Sequence, residues 1–339
     1  MKRIAMFYGG RSFEREISVL TAIQTGTFFP SEYELLPIYM QDGKLYLKKD
    51  YKIFSSYVDG KKGKELCFTS GGLKSKCKEY KIDCALVVNH GGEGEDGTLS
   101  ALLEYYDIPY TTASHSASCV CMDKRLTKIV LSNYGFCVTP EWNRIDYPCI
   151  LKPTVLGSSI GIQIANNSEE YAKSKETIRE FGDYIVEPLL TDVQELNCAV
   201  CRRNGKVIAS EIERPIGKNT ILDFDDKYRS GEREIPAEID DELKQRIQKT
   251  SMEIYKKLSL FGVVRIDYLY RNGELFVNEI NTVPGSLAYY LFSASGMNFE
   301  NLLRTLIEEG IARGNKKRPQ YDTGVIRDYA SGFKGTKTK

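Results

Sequence analysis

Four side chains within one short stretch have the types and spacing for phosphate chemistry. In Val263-Val-Arg-Ile-Asp-Tyr-Leu-Tyr-Arg-Asn-Gly-Glu-Leu-Phe-Val-Asn-Glu-Ile-Asn281, apolar and polar residues alternate on either side of an Asn-Gly turn signal, the pattern of two paired strands. Period-two spacing puts Arg265 and Asp267 on one face of the first strand, and Glu279 and Asn281 on one face of the second. Two carboxylates and an amide oxygen beside a guanidinium make an all-oxygen site for a hard cation such as Mg²⁺ carrying nucleotide phosphates. The two faces coincide in only one register. A two-residue Asn272-Gly273 turn opposes Asp267 to Asn278, whereas a three-residue loop, Asn272-Gly273-Glu274, opposes Asp267 to Glu279. The expectation is the three-residue loop with Gly273 left-handed; a two-residue turn without a bulge would undo the site. Taken alone, the same residues are also compatible with surface salt bridges on an exposed hairpin.

Three further constellations point the same way. Pro148-Cys-Ile-Leu-Lys152 is an apolar strand ending in a lysine, followed by Gly157-Ser-Ser-Ile-Gly161. Backbone amides of such a loop approach phosphate oxygens closely, and the lysine adds a point charge. The Walker pattern GxxxxGK[ST] is absent. Tyr184-Ile-Val-Glu187-Pro-Leu-Leu190, with Glu195 eight residues after Glu187, has the form of an adenine-binding hinge followed by a ribose-binding carboxylate, or of an ordinary strand with a solvated acid. His90-Gly-Gly-Glu-Gly-Glu-Asp-Gly97 directly follows a strand and presents an imidazole and backbone amides at a sheet edge. With only two histidines in the chain and no Ser/His/Asp pattern, the sequence argues against hydrolytic triad chemistry. His115 has no evident partner in the sequence.

These residues need elements to position them. Arg3–Tyr8 and Asp83–Asn89 read as strands, each running through a glycine-rich turn into a helix; the second helix would carry Leu99, Leu102, Leu103 and Tyr106 on one face. Repeated strand, turn and helix imply a parallel sheet with a site at the strand ends. Beyond Asn133 short strands dominate, with helices at about 169–180 and 240–260 and a last helix through Phe299, Leu302, Leu303 and Leu306. The fold class is α/β with α+β character.

Composition bounds the alternatives. With 339 residues, 42% hydrophobic and 27% charged, the chain matches a globular protein of two or three domains. No apolar run reaches the roughly 20 residues of a membrane span, and Met1-Lys2-Arg3 leads into a strand-like segment rather than a leader, so a cytoplasmic protein is expected. The odd count of nine cysteines leaves at least one free, as in a reducing compartment. Cys198-Ala-Val-Cys201 lacks a second pair at metal-binding spacing. The net charge of +1 argues against a nucleic-acid partner, although the basic segment 314–339 leaves the body at −4. A polyanion must therefore meet local cations or metal ions.

Taken in order, Gly9-Gly-Arg-Ser-Phe-Glu14-Arg-Glu-Ile-Ser18, His90-Gly-x-x-Gly-Glu-Asp-Gly97, Met122-Asp-Lys124, Lys152-Pro with Gly157-Ser-Ser-Ile-Gly161, Asp226-Lys227-Tyr228, Arg265-Ile-Asp267 and Asn278-Glu-Ile-Asn-Thr-Val-Pro-Gly285 resemble the D-alanine-D-alanine ligases of the ATP-grasp superfamily. The resemblance spans about residues 3–313. It implies a Rossmann-like parallel-sheet domain over 1–112, ATP-grasp subdomains over 113–190 and 191–313, and a basic tail over 314–339. It also implies a ligase that activates one D-alanine carboxylate with ATP as an acyl phosphate. A second D-alanine amine then attacks, giving the dipeptide for peptidoglycan precursors.

By the same resemblance, Asp267, Glu279 and Asn281 would hold two Mg²⁺ (or Mn²⁺) ions, and Lys124, Lys152 and Lys227 would neutralise phosphate oxygens. Glu187 and Leu190 would contact adenine, and Glu195 the ribose. Arg265 and the Gly285 amide would stabilise the tetrahedral oxyanion. Glu14, linked through Ser158 to Tyr228 on a closing lid, would bind the first substrate's ammonium, with His90 helping to orient the carboxylates. Tyr290 and Leu291 occupy the place that grips the second substrate's carboxylate. The family also implies a homodimer.

Two positions depart from the family's pattern. Pro188 follows Glu187 where a lysine is usual, and Tyr290 stands where a small hydroxyl residue is usual. The second departure leaves open an acceptor other than D-alanine, such as D-serine or D-lactate. A catalytically inactive nucleotide-binding homologue would lack a metal carboxylate or the arginine, and none is missing.

Overall fold

The computed structural model describes residues 1–142, 144–216, 232–314 and 322–332. The first sheet has seven strands: β1 (Lys2–Gly9), β2 (Tyr33–Gln41), β3 (Lys44–Leu47), β4 (Lys64–Thr69), β5 (Gly72–Lys74), β6 (Glu79–Lys81) and β7 (Cys84–Val87), in the order β6-β5-β4-β3-β2-β1-β7. β1 runs parallel to both β2 and β7. Ile4 to Tyr8 are fully buried, as expected for a strand covered on both faces. The expected parallel sheet is confined to these three strands, because β2 to β6 form an antiparallel meander. The reason is local. Asp42-Gly43, with φ of +53° and +73°, makes a two-residue turn that only a hairpin accommodates.

Helix Arg15–Thr27 follows β1, and helix Thr98–Tyr105 follows the loop after β7. In the second helix Leu99 and Leu103 are buried one turn apart, whereas Leu102 is 39% exposed and Tyr106 lies beyond the helix end. Tyr106 still packs, partly buried, against the core that holds Leu99 and Leu103, so only Leu102 departs from the expected face.

A three-stranded antiparallel sheet follows: β8 (Cys149–Pro153), β9 (Gln163–Ala165) and β10 (Tyr184–Pro188), with β8 in the centre. The last sheet contains β11 (Gln194–Arg203), β12 (Lys206–Ile216), β13 (Glu232–Glu234), β14 (Val264–Arg271) and β15 (Glu274–Asn281), in the order β13-β12-β11-β14-β15. β11 lies between two cores. Leu196, Cys198 and Val200 pack with Ile254, Ile266 and Tyr268, while Ala199 and Cys201 pack with Leu302 and Leu306. Truncating such a buried aliphatic side chain to Ala costs about 2–5 kcal/mol. The two thiols of the CxxC pattern therefore lie in different cores and cannot share a metal; burial pushes Cys198 up to about 11 and Cys201 up to about 12.

Helix Asp241–Lys257 is capped by Asp240, whose carboxylate accepts from the Leu243 amide. It ends short of the expected 260. Gly262 serves the next feature: its φ is +75°, and a Cβ there would lie 2.0 Å from the Thr111 carbonyl oxygen.

The β14–β15 hairpin differs instructively from expectation. Arg271 pairs with Glu274, so the turn is the two-residue Asn272-Gly273, with φ of +49° and +83°; the expected three-residue loop is not formed, although Gly273 is left-handed as required. A primed two-residue turn matches strand twist better than a longer loop. The register is restored further along: Tyr268 pairs with Val277 but Asp267 with Glu279, leaving Asn278 as a bulge. The expected Asp267–Glu279 and Arg265–Asn281 pairs follow.

Helix Phe299–Arg313 covers β7 and β11. In the tail, Val325–Ala330 forms one short helix with no buried residue. No helix among the described residues is long and apolar enough to cross a membrane.

Candidate active site

The hairpin brings its four polar residues together. Arg265 donates from Nε and Nη2 to the two oxygens of Asp267 at 2.7 and 2.8 Å, and Asn281 Nδ2 donates to Asp267 Oδ2 at 3.0 Å. Burial opposes the charge on Arg265, but Asp267 outweighs it and holds the guanidinium protonated far above its ordinary range. Glu279 lies opposite Asp267, with Lys124 Nζ 3.8 Å from its carboxylate. Among the described residues no three His, Cys, Asp or Glu side chains cluster as a metal site. The set present is two carboxylates and one amide, whose hard oxygens fit Mg²⁺ if phosphate oxygens complete the octahedron.

One side of the cleft is built on one buried acid. Glu187, 2% exposed, is flanked by Lys128 at 2.6 Å and Lys152 at 2.8 Å. Burial alone would raise its pKa, but the two lysines overcome this and hold it below the usual carboxylate range. Lys152 also donates to the bulged Asn278 Oδ1 at 3.1 Å, so the bulge ties β8 to the β14–β15 hairpin. Lys124 donates to the Leu156 carbonyl oxygen at the root of the glycine loop. Leu190, Glu195, Ile150, Leu189 and Leu269 wall the same cavity. Both oxygens of Glu187 are engaged by lysines, so its carboxylate shapes the cleft by holding them.

On the opposite side Ser158 donates to Glu14 Oε1, the expected link between the first helix and the glycine loop. Tyr228 and Lys227, the expected lid residues, lie outside the described residues. Gly91 must remain a glycine here: its φ is +62°, and a Cβ would lie 2.7 Å from Glu14 Oε2. Glu14, Gly91, Gly157 and Met122 line a cavity of about 280 Å³.

His90 is buried and has both nitrogens engaged. Nδ1 lies 2.6 Å from the Val283 carbonyl oxygen, which can only accept, so Nδ1 carries a proton; Nε2 lies 2.8 Å from Thr21 Oγ1. The Ser286 amide donates to Thr21 Oγ1 at 3.2 Å, leaving the threonine hydroxyl to donate to Nε2. Ser286 N–H, Thr21, His90 and Val283 C=O thus form one directional chain that brackets Gly285. Burial lowers the His90 pKa, in keeping with a neutral ring. Glu95 closes the bracket, accepting from the amides of Val283 and Gly91 at 2.8 Å each. Burial first, then the Glu14 charge, pushes Glu95 up to about 8. The space in front of Gly285 is open.

Tyr290 lines a further cavity with Arg265 and Gly285, but its hydroxyl donates to Glu213 Oε2 at 3.2 Å. The Leu291 side chain is fully buried in the core. His115, expected without a partner, pairs with Glu104 at 3.0 Å.

Sequence reasoning missed Lys128, Asn278, Thr21, Glu95 and Glu213 as contributors. Lys128 was findable, since it follows Lys124 by four residues and so shares its helix face. The others depend on contacts between distant segments.

Against known proteins, residues 3–113 match the family model "D-ala D-ala ligase N-terminus" and residues 132–308 match "D-ala D-ala ligase C-terminus". A D-alanine–D-alanine ligase of Thermosipho melanesiensis is 32% identical over 96% of this chain and 99% of its own length. Among solved structures, the D-alanine-D-alanine ligase from Coxiella burnetii has a TM-score of 0.81 at 25% identity, covering 97% of this chain and 98% of that one. The VanG D-Ala:D-Ser ligase from Enterococcus faecalis has a TM-score of 0.80 at 27% identity, covering 91% and 99%. Two family models that together span most of the chain, and a curated relative matched over nearly its whole length, agree with the motifs of the cleft: the chain belongs to the D-alanine-D-alanine ligase family.

Proposed function

We propose that this cleft joins two D-alanine molecules into D-alanyl-D-alanine at the expense of ATP, for peptidoglycan precursor synthesis. The observation that carries the reading is the meeting of two cavities at Asn278 and Glu279, one walled by Lys124, Lys152, Leu190 and Glu195 and the other by Arg265, Gly285 and Tyr290. A nucleotide in the first places its terminal phosphate at the mouth of the second.

The chemistry is dominated by charge. A carboxylate is a weak nucleophile toward a polyanionic nucleotide, so positioning and neutralisation supply most of the acceleration. Lys124 and Lys152 neutralise phosphate oxygens, Leu190 and its neighbours hold the adenine, and Glu195 takes the ribose. Asp267, Glu279 and Asn281 would hold two Mg²⁺ ions, which supply further neutralisation of the transferring phosphoryl group when bound. Glu14, fixed by Ser158, binds the ammonium group of the first D-alanine, whose carboxylate takes the γ-phosphoryl group and becomes an acyl phosphate. The second D-alanine, as the free amine, attacks that carbonyl. Arg265 and the Gly285 amide stabilise the developing oxyanion, and collapse expels phosphate. His90, with no free nitrogen, holds the Gly285 turn in place. Lys227 and Tyr228 belong to this reading as a phosphate ligand and a closing hydroxyl. A cytoplasmic homodimer is the assembly we propose.

Coupled ADP release with Mg-ATP, varying the amino acid and identifying the product by mass, tests the assignment. D-alanine alone should give ADP and the dipeptide. ADP release only when D-serine or D-lactate accompanies D-alanine would replace the acceptor, and no turnover with any D-amino acid would reject the activity.

A further inference from the structure

The cavity of about 220 Å³ beside Arg265 holds an acid–base pair to which the reaction above gives no task. Glu213 on β12 is 3% exposed. Its Oε2 accepts from Asn197 Nδ2 at 3.1 Å and from the Tyr290 hydroxyl at 3.2 Å, and its Oε1 lies 3.3 Å from the Arg233 guanidinium. That guanidinium stands 5.0 Å from the centre of the Tyr290 ring, so Arg233 is held at one edge by a carboxylate and on one face by an aromatic.

This arrangement bears on how a second substrate is gripped. A phenol has one proton to donate, and Tyr290 donates it to Glu213, so its hydroxyl has none left for a substrate carboxylate. Arg265 has two donors engaged by Asp267. The remaining ionisable walls include the carboxylates of Glu195, Glu232, Asp267 and Glu279, which as acceptors offer an anion no hydrogen bond. A guanidinium has five N–H donors in a fork that matches a carboxylate, and Arg233, whose side chain is 43% exposed, lines this cavity.

We propose that Arg233 binds the carboxylate of the acceptor amino acid, with Glu213 and the Tyr290 ring as the positioning residues that aim it. The inference rests on the acceptor side of the ligase reaction. It turns the Tyr290 departure into a replacement: the aromatic ring takes the place of a small hydroxyl by carrying an arginine into the pocket. An acceptor without a carboxylate loses this contact.

The test uses full-length enzyme with Mg-ATP, reading ADP release over a wide D-alanine range and resolving the two substrate sites. D-alaninamide serves as the acceptor that lacks the carboxylate, its product identified by mass. Arg233→Met should raise the acceptor KM for D-alanine roughly ten- to a hundredfold while leaving the ATP and first-site KM values unchanged. Relative to wild type it should not impair ligation to D-alaninamide. Arg233→Lys should recover part of the loss, and Glu213→Gln should raise the acceptor KM more than it lowers kcat. An unchanged acceptor KM in Arg233→Met, or equal losses with both acceptors, would overturn the proposal; so would failure of a folded Arg233→Lys to outperform Met. Wild-type enzyme that forms no dipeptide from D-alanine would instead reject the ligase reading beneath it.

Discussion

The proposed nucleotide side and the proposed acceptor side of the cleft solve the same problem, placing charge in a largely enclosed site, by opposite constructions. On the nucleotide side one acid, Glu187, is held between Lys128 and Lys152, so the surplus is positive and faces incoming phosphates. On the acceptor side each arginine is held by an acid, Arg265 by Asp267 and Arg233 by Glu213. A lysine pair sharing one carboxylate keeps a net cation for a polyanion, whereas an arginine with its own carboxylate keeps direction, since the fork stays aimed while the net charge falls.

The sharpest way to break this comparison is at Arg265. Arg265→Met removes the proposed oxyanion donor and strands Asp267; kcat should fall by roughly 10²–10³-fold with little change in ATP KM, as read by steady-state ADP release. An equal loss in ATP KM would mean that the arginine serves the nucleotide instead. Next in size is Glu187→Ala, which leaves two buried lysines without their acid. Uncompensated buried charge costs about 3–5 kcal/mol, so urea unfolding should show a large loss of stability together with weaker ATP binding. Stability near wild type would show that water already screens the pair.

The bracket around Gly285 predicts smaller effects. Thr21→Val removes the hydroxyl that accepts from Ser286 and donates to His90. Leaving these groups unpaired costs about 1–3 kcal/mol, and kcat should fall about tenfold with ATP KM unchanged; Thr21→Ser should restore it. The smallest effect is on pH. The folded chain holds His90 neutral below its ordinary value of 6.5, while the unfolded chain takes up that proton. This contribution to stability is therefore complete above pH 6.5 and declines as the pH falls below it. Urea unfolding between pH 7 and 5 should show a shallower decline in His90→Asn than in wild type.

The same contrast explains what was legible in the sequence. Arg265, Asp267, Glu279 and Asn281 belong to one hairpin, so alternation alone placed them, and even a wrong loop length left the pairing right. The error was physical: the Asn-Gly turn took its preferred two-residue form, and a bulge at Asn278 absorbed the extra residue. That bulge then gave Lys152 a partner, which no spacing rule announces. The parallel core of the first sheet was visible as apolar runs before glycine turns, but the antiparallel meander was not, since β4 to β6 are short and polar. Thr21, Glu95, Glu213 and Arg233 act through contacts between separate elements, Thr21 with His90 and Ser286, Glu95 with Val283, and Glu213 with Tyr290 and Arg233, which no local spacing announces. Their roles follow from the fold.

The claim on which the reaction rests is that the β14–β15 hairpin holds the metal ions that carry the phosphates. Crystals grown with Mn²⁺, ATP and D-alanine test it through the anomalous signal of manganese. The account predicts two peaks about 2.1 Å from oxygens of Asp267, Glu279 and Asn281, with the terminal phosphate between them and Lys152. Peaks elsewhere in the cleft, or ATP bound with no peak at these three residues, would contradict it.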